Sequence, residues 1–166
     1  LFIFGNGVRL SGSVDLLHRS IEKFKVPFLL AWNGIDMVSS SHSLNYGRAG
    51  TYGQRAANFI VQNADLIITV GTRMAIPQVG YDLKEFGRHA HKVIIDIDAT
   101  ELDKFASDKT FTLLQANAKD FLKELNEKIN APSKDAIAEW ISYCDKLRKK
   151  YPFVEPNGMH KEQDGK

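Results

Sequence analysis

A single cysteine, Cys144, stands in a chain of 166 residues. One thiol forms no internal disulfide and supports no multi-cysteine zinc site, and so little cysteine fits a reducing, cytoplasmic setting. No apolar run approaches the roughly 20 residues a membrane span requires, and no secretory leader is expected from these residues. Charge of one sign is scarce too: 22 Lys and Arg against 20 Asp and Glu leave a net +2, which supplies no global field for a nucleic-acid backbone. Internal repeats and low-complexity segments are missing. Ser39-Ser40-Ser41-His42 lies outside any G-x-S-x-G elbow, so that acyl-transfer signature is absent. His89 and His91 sit two apart in an expected loop, with no third ligand in view, and read as solvated side chains. No catalytic constellation is visible. What remains is a chain with 43% hydrophobic residues, enough for one domain with its own core. It opens on an apolar strand at Leu1 without an initiator Met and closes in polar Gly165-Lys166, which gives the expectation of an excerpt from a longer polypeptide.

The organising stretch runs from Gly47 to Arg73. A glycine-bearing turn opens a helix in which Ala57, Ile60, Val61 and Ala64 recur at three- and four-residue steps, one face against a core. Leu66-Ile67-Ile68-Thr69-Val70 is then a continuous apolar run too short for a helix, the pattern of a strand in a buried parallel sheet. Other strands are expected at Leu1–Phe4, Pro27–Trp32, Lys92–Asp96 and Phe111–Leu114, with a short third strand at Leu44-Asn45-Tyr46. Helices are expected after Ser13 as N-cap, over Ala118–Ile129 and after Ser133 through Leu147; Met74–Gly80 reads as a long loop and Asp82–Phe86 as a helical turn. Trp140, at helical spacing with Ile137 and Ile141, reads as core. Alternating strands and helices imply an α/β fold with right-handed crossovers.

If the first strand is central, the chain reverses between Leu1–Phe4 and Leu66–Val70, and the loops Gly5-Asn6-Gly7 and Gly71-Thr72-Arg73 converge there. Glycines let a phosphate approach the backbone, helix N-termini offer free N–H groups, and Arg73 offers a bidentate cation. Asp96 and Asp98, ending another strand, can accept from a ribose or an adenine amino group. The same residues have plainer uses. Gly5-x-Gly7 has Leu10 in place of a third fingerprint glycine, Arg73 can pair with a carboxylate, and Asp96 or Asp98 can cap the turn at Thr100.

Several segments in order resemble the central domain of thiamine-diphosphate-dependent enzymes of the acetolactate (acetohydroxyacid) synthase type. They are Gly5-Asn6-Gly7-Val8-Arg9, Pro27 to Gly34, Gly50-Thr51, Ala57-Asn58, Asn63 to Ile67, Val70-Gly71-Thr72-Arg73, Ile94 to Asp98 and Glu101-Leu102. The resemblance implies a three-layer Rossmann-like (DHS-like) domain over residues 1–130, with a six-stranded parallel sheet of order 3-2-1-4-5-6 between helices. Residues 131–150 are then a linker helix and 151–166 a tail, the flanking pyrimidine- and pyrophosphate-binding domains being absent. In such enzymes this domain holds FAD, ADP or nothing, while thiamine diphosphate and magnesium bind between the other two domains. The full-length protein would decarboxylate or join 2-oxo acids as a homo-oligomer, and the isolated domain would be inactive.

Nucleotide contacts carry over by resemblance to Gly50, Thr51, Gly71, Thr72, Arg73, Asp96, Ile97, Asp98, Asn117 and Ala118. Three departures stand out: Arg48-Ala49 where the synthases have Met-His, Met74 to Gln78 where they have Phe-Asp-Asp-Arg, and Asn117 where they have aspartate. Two other classes stay open. One is a stand-alone FAD- or NAD-binding module, although a sirtuin-like one needs four zinc-binding cysteines. The other is a structural spacer with an empty nucleotide site.

Overall fold

A computed structural model describes residues 1–153, so the expected tail beyond residue 153 lies outside the described residues. The apolar runs form strands Phe2–Phe4 (β1), Phe28–Leu30 (β2), Leu66–Val70 (β3), His91–Asp96 (β4) and Phe111–Gln115 (β5). All neighbours pair in parallel, in the order β2-β1-β3-β4-β5.

Among the described residues the sheet thus has five strands, not six, and the expected order 3-2-1-4-5-6 is corrected accordingly. Leu44-Asn45-Tyr46, expected as the third strand, makes one parallel bridge, Phe28 to Asn45. Phe28 N–H donates to the Leu44 carbonyl and Tyr46 N–H to the Phe28 carbonyl, both at 3.0 Å. One further bond, Leu30 N–H to the Gly47 carbonyl at 2.9 Å, skips Tyr46, so no regular ladder forms, and the Asn45 side chain folds back on its own loop. Its Oδ1 accepts from Gly47 N–H at 3.0 Å and its Nδ2 donates to the Ser39 carbonyl at 3.2 Å. Gly47 then leaves extended space at φ +90°. Such local side-chain bonds compete with a strand ladder.

Helices Gly7–Leu10 (α1), Val14–Phe24 (α2), Arg55–Asn63 (α3), Ile76–Val79 (α4), Ala99–Asp103 (α5), Ala118–Lys128 (α6) and Lys134–Lys150 (α7) connect or follow the strands. Two expectations change. Ser13 does not cap α2 through its side chain; its hydroxyl donates to the Val8 carbonyl at 3.0 Å, closing the α1–α2 corner. The expected loop at Met74–Gly80 contains α4, with Pro77 in the first turn where its missing N–H costs nothing.

Each face of the sheet has its own core. Ile3, Leu29, Ile67 and Ile94 pack with Ala57, Ile60 and Val61 of α3 and with Cys144 of α7. On the other face Phe4, Phe28, Leu30, Val70 and Ile95 pack with Leu17, Ile21 and Phe24 of α2 and with Leu122 and Leu125 of α6. Burial on both faces explains why the strands read as unbroken apolar runs. Helix α7 lies on α3, with Trp140 and Leu147 packed against the first core. The Tyr46 hydroxyl donates to Asp145 at 2.9 Å, and Arg148 donates to the Ser43 carbonyl at 2.7 Å. Among the described residues, no helix is long and apolar enough to cross a membrane.

Candidate functional site

From β1 the chain moves to β2 on one side, then returns across to β3 on the other. The loops after β1 and β3 therefore diverge at the carboxyl end of the sheet, where open α/β folds bind ligands. A cleft of about 1010 Å³ occupies this position. Every strand contributes: Asn6 and Gly7 follow β1, Trp32 follows β2, Gly71 to Arg73 follow β3, Asp96 closes β4 ahead of Ile97 and Asp98, and Asn117 and Ala118 follow β5.

The glycines at the switch point also have a packing role. A Cβ on Gly5 would lie 2.2 Å from the Gly71 carbonyl oxygen, and one on Gly7 would lie 2.7 Å from Gly71 Cα. Gly7 N–H donates to that same carbonyl at 2.9 Å, and Gly71 adopts φ +60°. Three glycines thus let the β1 and β3 turns lie backbone against backbone. The Gly7 N–H is thereby used inside the protein.

Beyond Gly71, Arg73 and Met74 both take left-handed conformations, at φ +59° and +49°. Met74 is buried in the first core, which turns Arg73 outward to the rim. There Arg73 Nε donates to Glu101 at 3.0 Å, Lys104 also pairs with Glu101, and Lys104 donates to the Arg73 carbonyl at 3.1 Å. Lys104 first, and Arg73 beside it, hold the Glu101 carboxyl below the usual glutamate range. Of the two readings of Arg73, the carboxylate pair is the one present.

Asp98 caps α5, its Oδ1 accepting from Thr100 N–H at 2.9 Å, and Asp96 Oδ1 accepts from Asp98 N–H at 3.1 Å. The second oxygen of each carboxylate has no protein donor among the described residues. Between them Ile97 is 65% exposed, an apolar surface open to the cleft. Asn117 caps α6 by accepting from Lys119 N–H at 2.9 Å, and its neighbour Ala118 is buried.

Gly50 and Thr51 do not line the cleft, although Ala49 and Tyr52 on either side do. Asn58 accepts from Gly50 N–H at 2.7 Å and donates to the Gly50 carbonyl at 3.1 Å, and Thr51 N–H donates to the Pro77 carbonyl at 2.8 Å. Their backbone polar groups hold the loop itself. Thr72 does reach the cleft, with a buried hydroxyl that has no hydrogen-bond partner. Sequence reasoning missed Trp32 and Arg48 as site residues. Trp32, just past β2, is 61% exposed on the cleft wall, and the Arg48 guanidinium lies 4.9 Å from its ring centroid. The available signal was Trp32's place at a strand's carboxyl end. Among the described residues, no group of three or more His, Cys, Asp or Glu side chains converges as a metal site. His91 instead shares a 2.8 Å hydrogen bond with Thr112.

The sequence has relatives among known proteins. A family model described as "Thiamine pyrophosphate enzyme, central domain" matches residues 1–125. The acetolactate synthase large subunit of Lactococcus lactis subsp. lactis (strain IL1403) is 34% identical over 93% of this chain and 26% of that protein. A probable acetolactate synthase large subunit of Methanococcus aeolicus is 30% identical over 90% of this chain and 26% of its own length. A 3D-(3,5/4)-trihydroxycyclohexane-1,2-dione hydrolase of Clostridium tetani (strain Massachusetts / E88) is 32% identical over 89% of this chain and 27% of that protein. The chain therefore spans about a quarter of the length of these curated relatives.

Proposed function

The chain belongs to the thiamine pyrophosphate enzyme central-domain family, and we propose that it is the nucleotide-holding middle domain of an acetolactate-synthase-like enzyme that decarboxylates and joins 2-oxo acids. In that reading, thiamine diphosphate and magnesium sit between flanking domains, which also receive the substrate, and the assembled enzyme is a cytoplasmic homo-oligomer of the lyase or transferase class. This domain binds and positions; it performs no bond chemistry alone. The hydrolase relative widens the substrate class to cyclic diones, whose cleavage is again chemistry at a carbonyl carbon.

The observation that carries nucleotide binding is the composition of the cleft. Its volume, about 1010 Å³, is at the upper end for small-molecule and cofactor sites. Free carboxylate oxygens on Asp96 and Asp98 suit the hydroxyls of a ribose or the amino group of adenine, and exposed Ile97 offers a face for the base. Orphaned donors on Thr72 and Arg48 suit an anion. Buried polar groups left unpaired are costly, which makes them natural recognition points for a ligand. ADP and FAD both fit this chemistry. A stand-alone flavin or NAD module is disfavoured by the family match across residues 1–125.

The test is a thermal-shift titration of the chain, whose two cores close both sheet faces, with ADP, FAD, NAD and coenzyme A. A ligand at a hundred times its Kd adds about 2.7 kcal/mol, or roughly 5–11 °C at this size. Shifts with ADP or FAD that are reduced in Asp96→Ala support the reading. No shift with any of the four refutes nucleotide binding and leaves the cleft as a spacer surface.

A further inference from the structure

Five charged side chains line the cleft: Arg48, Arg73, Asp96, Asp98 and Glu101. Arg73 pairs with Glu101 through its Nε. Arg48 has no carboxylate beside it: among the described residues its side chain makes neither an ion pair nor a hydrogen bond. Its Nε is cut off from solvent without an acceptor, and its guanidinium lies against the Trp32 ring. A guanidinium stacked on an aromatic face keeps its in-plane N–H fork free to grip a phosphate in bidentate fashion.

The backbone under Arg48 is fixed. Its N–H donates to Gln54 Oε1 at 2.6 Å, and its carbonyl accepts from Gln54 N–H at 2.8 Å. The following turn is clasped by Asn58. Donors held in place before a ligand arrives lose little entropy on binding it.

We infer that Arg48, laid on Trp32, is the anion anchor of the cleft and takes the phosphate end of the nucleotide, while Asp96 and Asp98 take its sugar or base end. This rests on the nucleotide reading above and adds the ligand's direction and a specificity-determining residue. Sheet order separates the two ends: β2, which delivers Trp32, stands three strands from β4, which delivers Asp96. Three spacings of roughly 4.8 Å make about 14 Å. A diphosphate placed against Asp96 and Asp98 would face two carboxylates and be repelled, whereas at the β2 end it meets a cation that has no carboxylate partner among the described residues. The arginine stands where the synthase pattern has a neutral or weakly basic pair, so this anchor belongs to the chain's own sequence.

The experiment is calorimetric titration of adenosine and ADP into the wild-type chain, Arg48→Ala and Arg48→Gln. Arg48 has no side-chain hydrogen bond to lose, and the glutamine variant retains length and polarity as a check on folding. Wild type is expected to prefer ADP over adenosine by about tenfold or more, with the preference falling as salt rises. Both variants should erase most of that preference and leave adenosine binding within about twofold. An ADP-to-adenosine ratio unchanged in both variants overturns the anchor while the nucleotide reading stands. Equal loss of both ligands in the variants likewise overturns it. Binding of neither ligand by wild type overturns both readings.

Discussion

Replacing Gly5 by alanine tests whether the backbone contact between the β1 and β3 turns holds the cleft in shape. Gly5 does not occupy positive-φ space, so alanine meets no conformational objection there. The whole cost is steric: the added Cβ would stand 2.2 Å from the Gly71 oxygen and 2.4 Å from Thr72 Cα, both backbone atoms. More than an ångström must open between two strands bonded from Phe2↔Ile68 to Phe4↔Val70. Overpacking of cores costs about 1–3 kcal/mol, and with no flexible side chain to yield, the upper end or beyond is expected. At roughly 2–4 °C per kcal/mol for a chain of this size, a loss of about 3 kcal/mol lowers Tm by about 6–12 °C. Gly12→Ala is the control. It carries the left-handed penalty at φ +66° but has nothing within 4 Å of its Cβ, so its cost stays near 1–2 kcal/mol. Urea and thermal denaturation of both variants decide the matter. If Gly5→Ala is no less stable than Gly12→Ala, the three-glycine contact does not set the spacing of these turns.

Three further outcomes are expected. Tyr46→Phe removes the hydroxyl's bond to Asp145 and should lower stability by about 1 kcal/mol in urea denaturation with an unchanged m-value; an unaltered midpoint would count against α7 being fastened through this pair. Burial pushes the Cys144 thiol up to about 12, so the native protein should resist iodoacetamide at pH 8 and react only on unfolding. Rapid labelling of the folded chain would show that α7 opens locally. The Glu101 carboxyl is held low by Lys104 and Arg73; a depressed carboxylate adds stability that is complete above about pH 4.3 and lost as pH falls below it. Glu101→Gln should therefore flatten the stability–pH curve below about pH 4.3, and an identical curve would refute the pairing.

Much of this chain was legible without coordinates because its strands are buried on both faces. Leu66–Val70 and Lys92–Asp96 announce themselves as apolar runs, and Ala57, Ile60 and Val61 trace the face of α3 by periodicity alone. The position of the cleft followed from sequence only on the condition that the first strand is central, and the sheet order β2-β1-β3-β4-β5 meets that condition. Asp98 could be read as a candidate cap of the turn at Thr100 from its type and position, the physics of a cap being local, whereas the cap made by Asn117 was not read from sequence.

Only the folded chain decided which polar groups remain available to a ligand. Arg73 had two readings in sequence, a ligand contact or a carboxylate pair, and the partner itself, Glu101 with Lys104 beside it, stands 28 and 31 residues on. Arg48 looked like a departure from a motif; it becomes the unpaired cation because the loop clasped by Gln54 and Asn58 lays it on Trp32, 16 positions earlier in the chain. The sixth strand failed for a local reason that a propensity scale misses, the Asn45 carboxamide bonding its own loop. Gly5, Gly7 and Gly71 read as phosphate-approach glycines until their carbonyls and Cα atoms were seen against one another. Sequence determines elements and their order, since those depend on neighbours within a turn or two. Pairing between distant loops depends on how the sheet brings them together, and that settles which charges are spent and which remain for function.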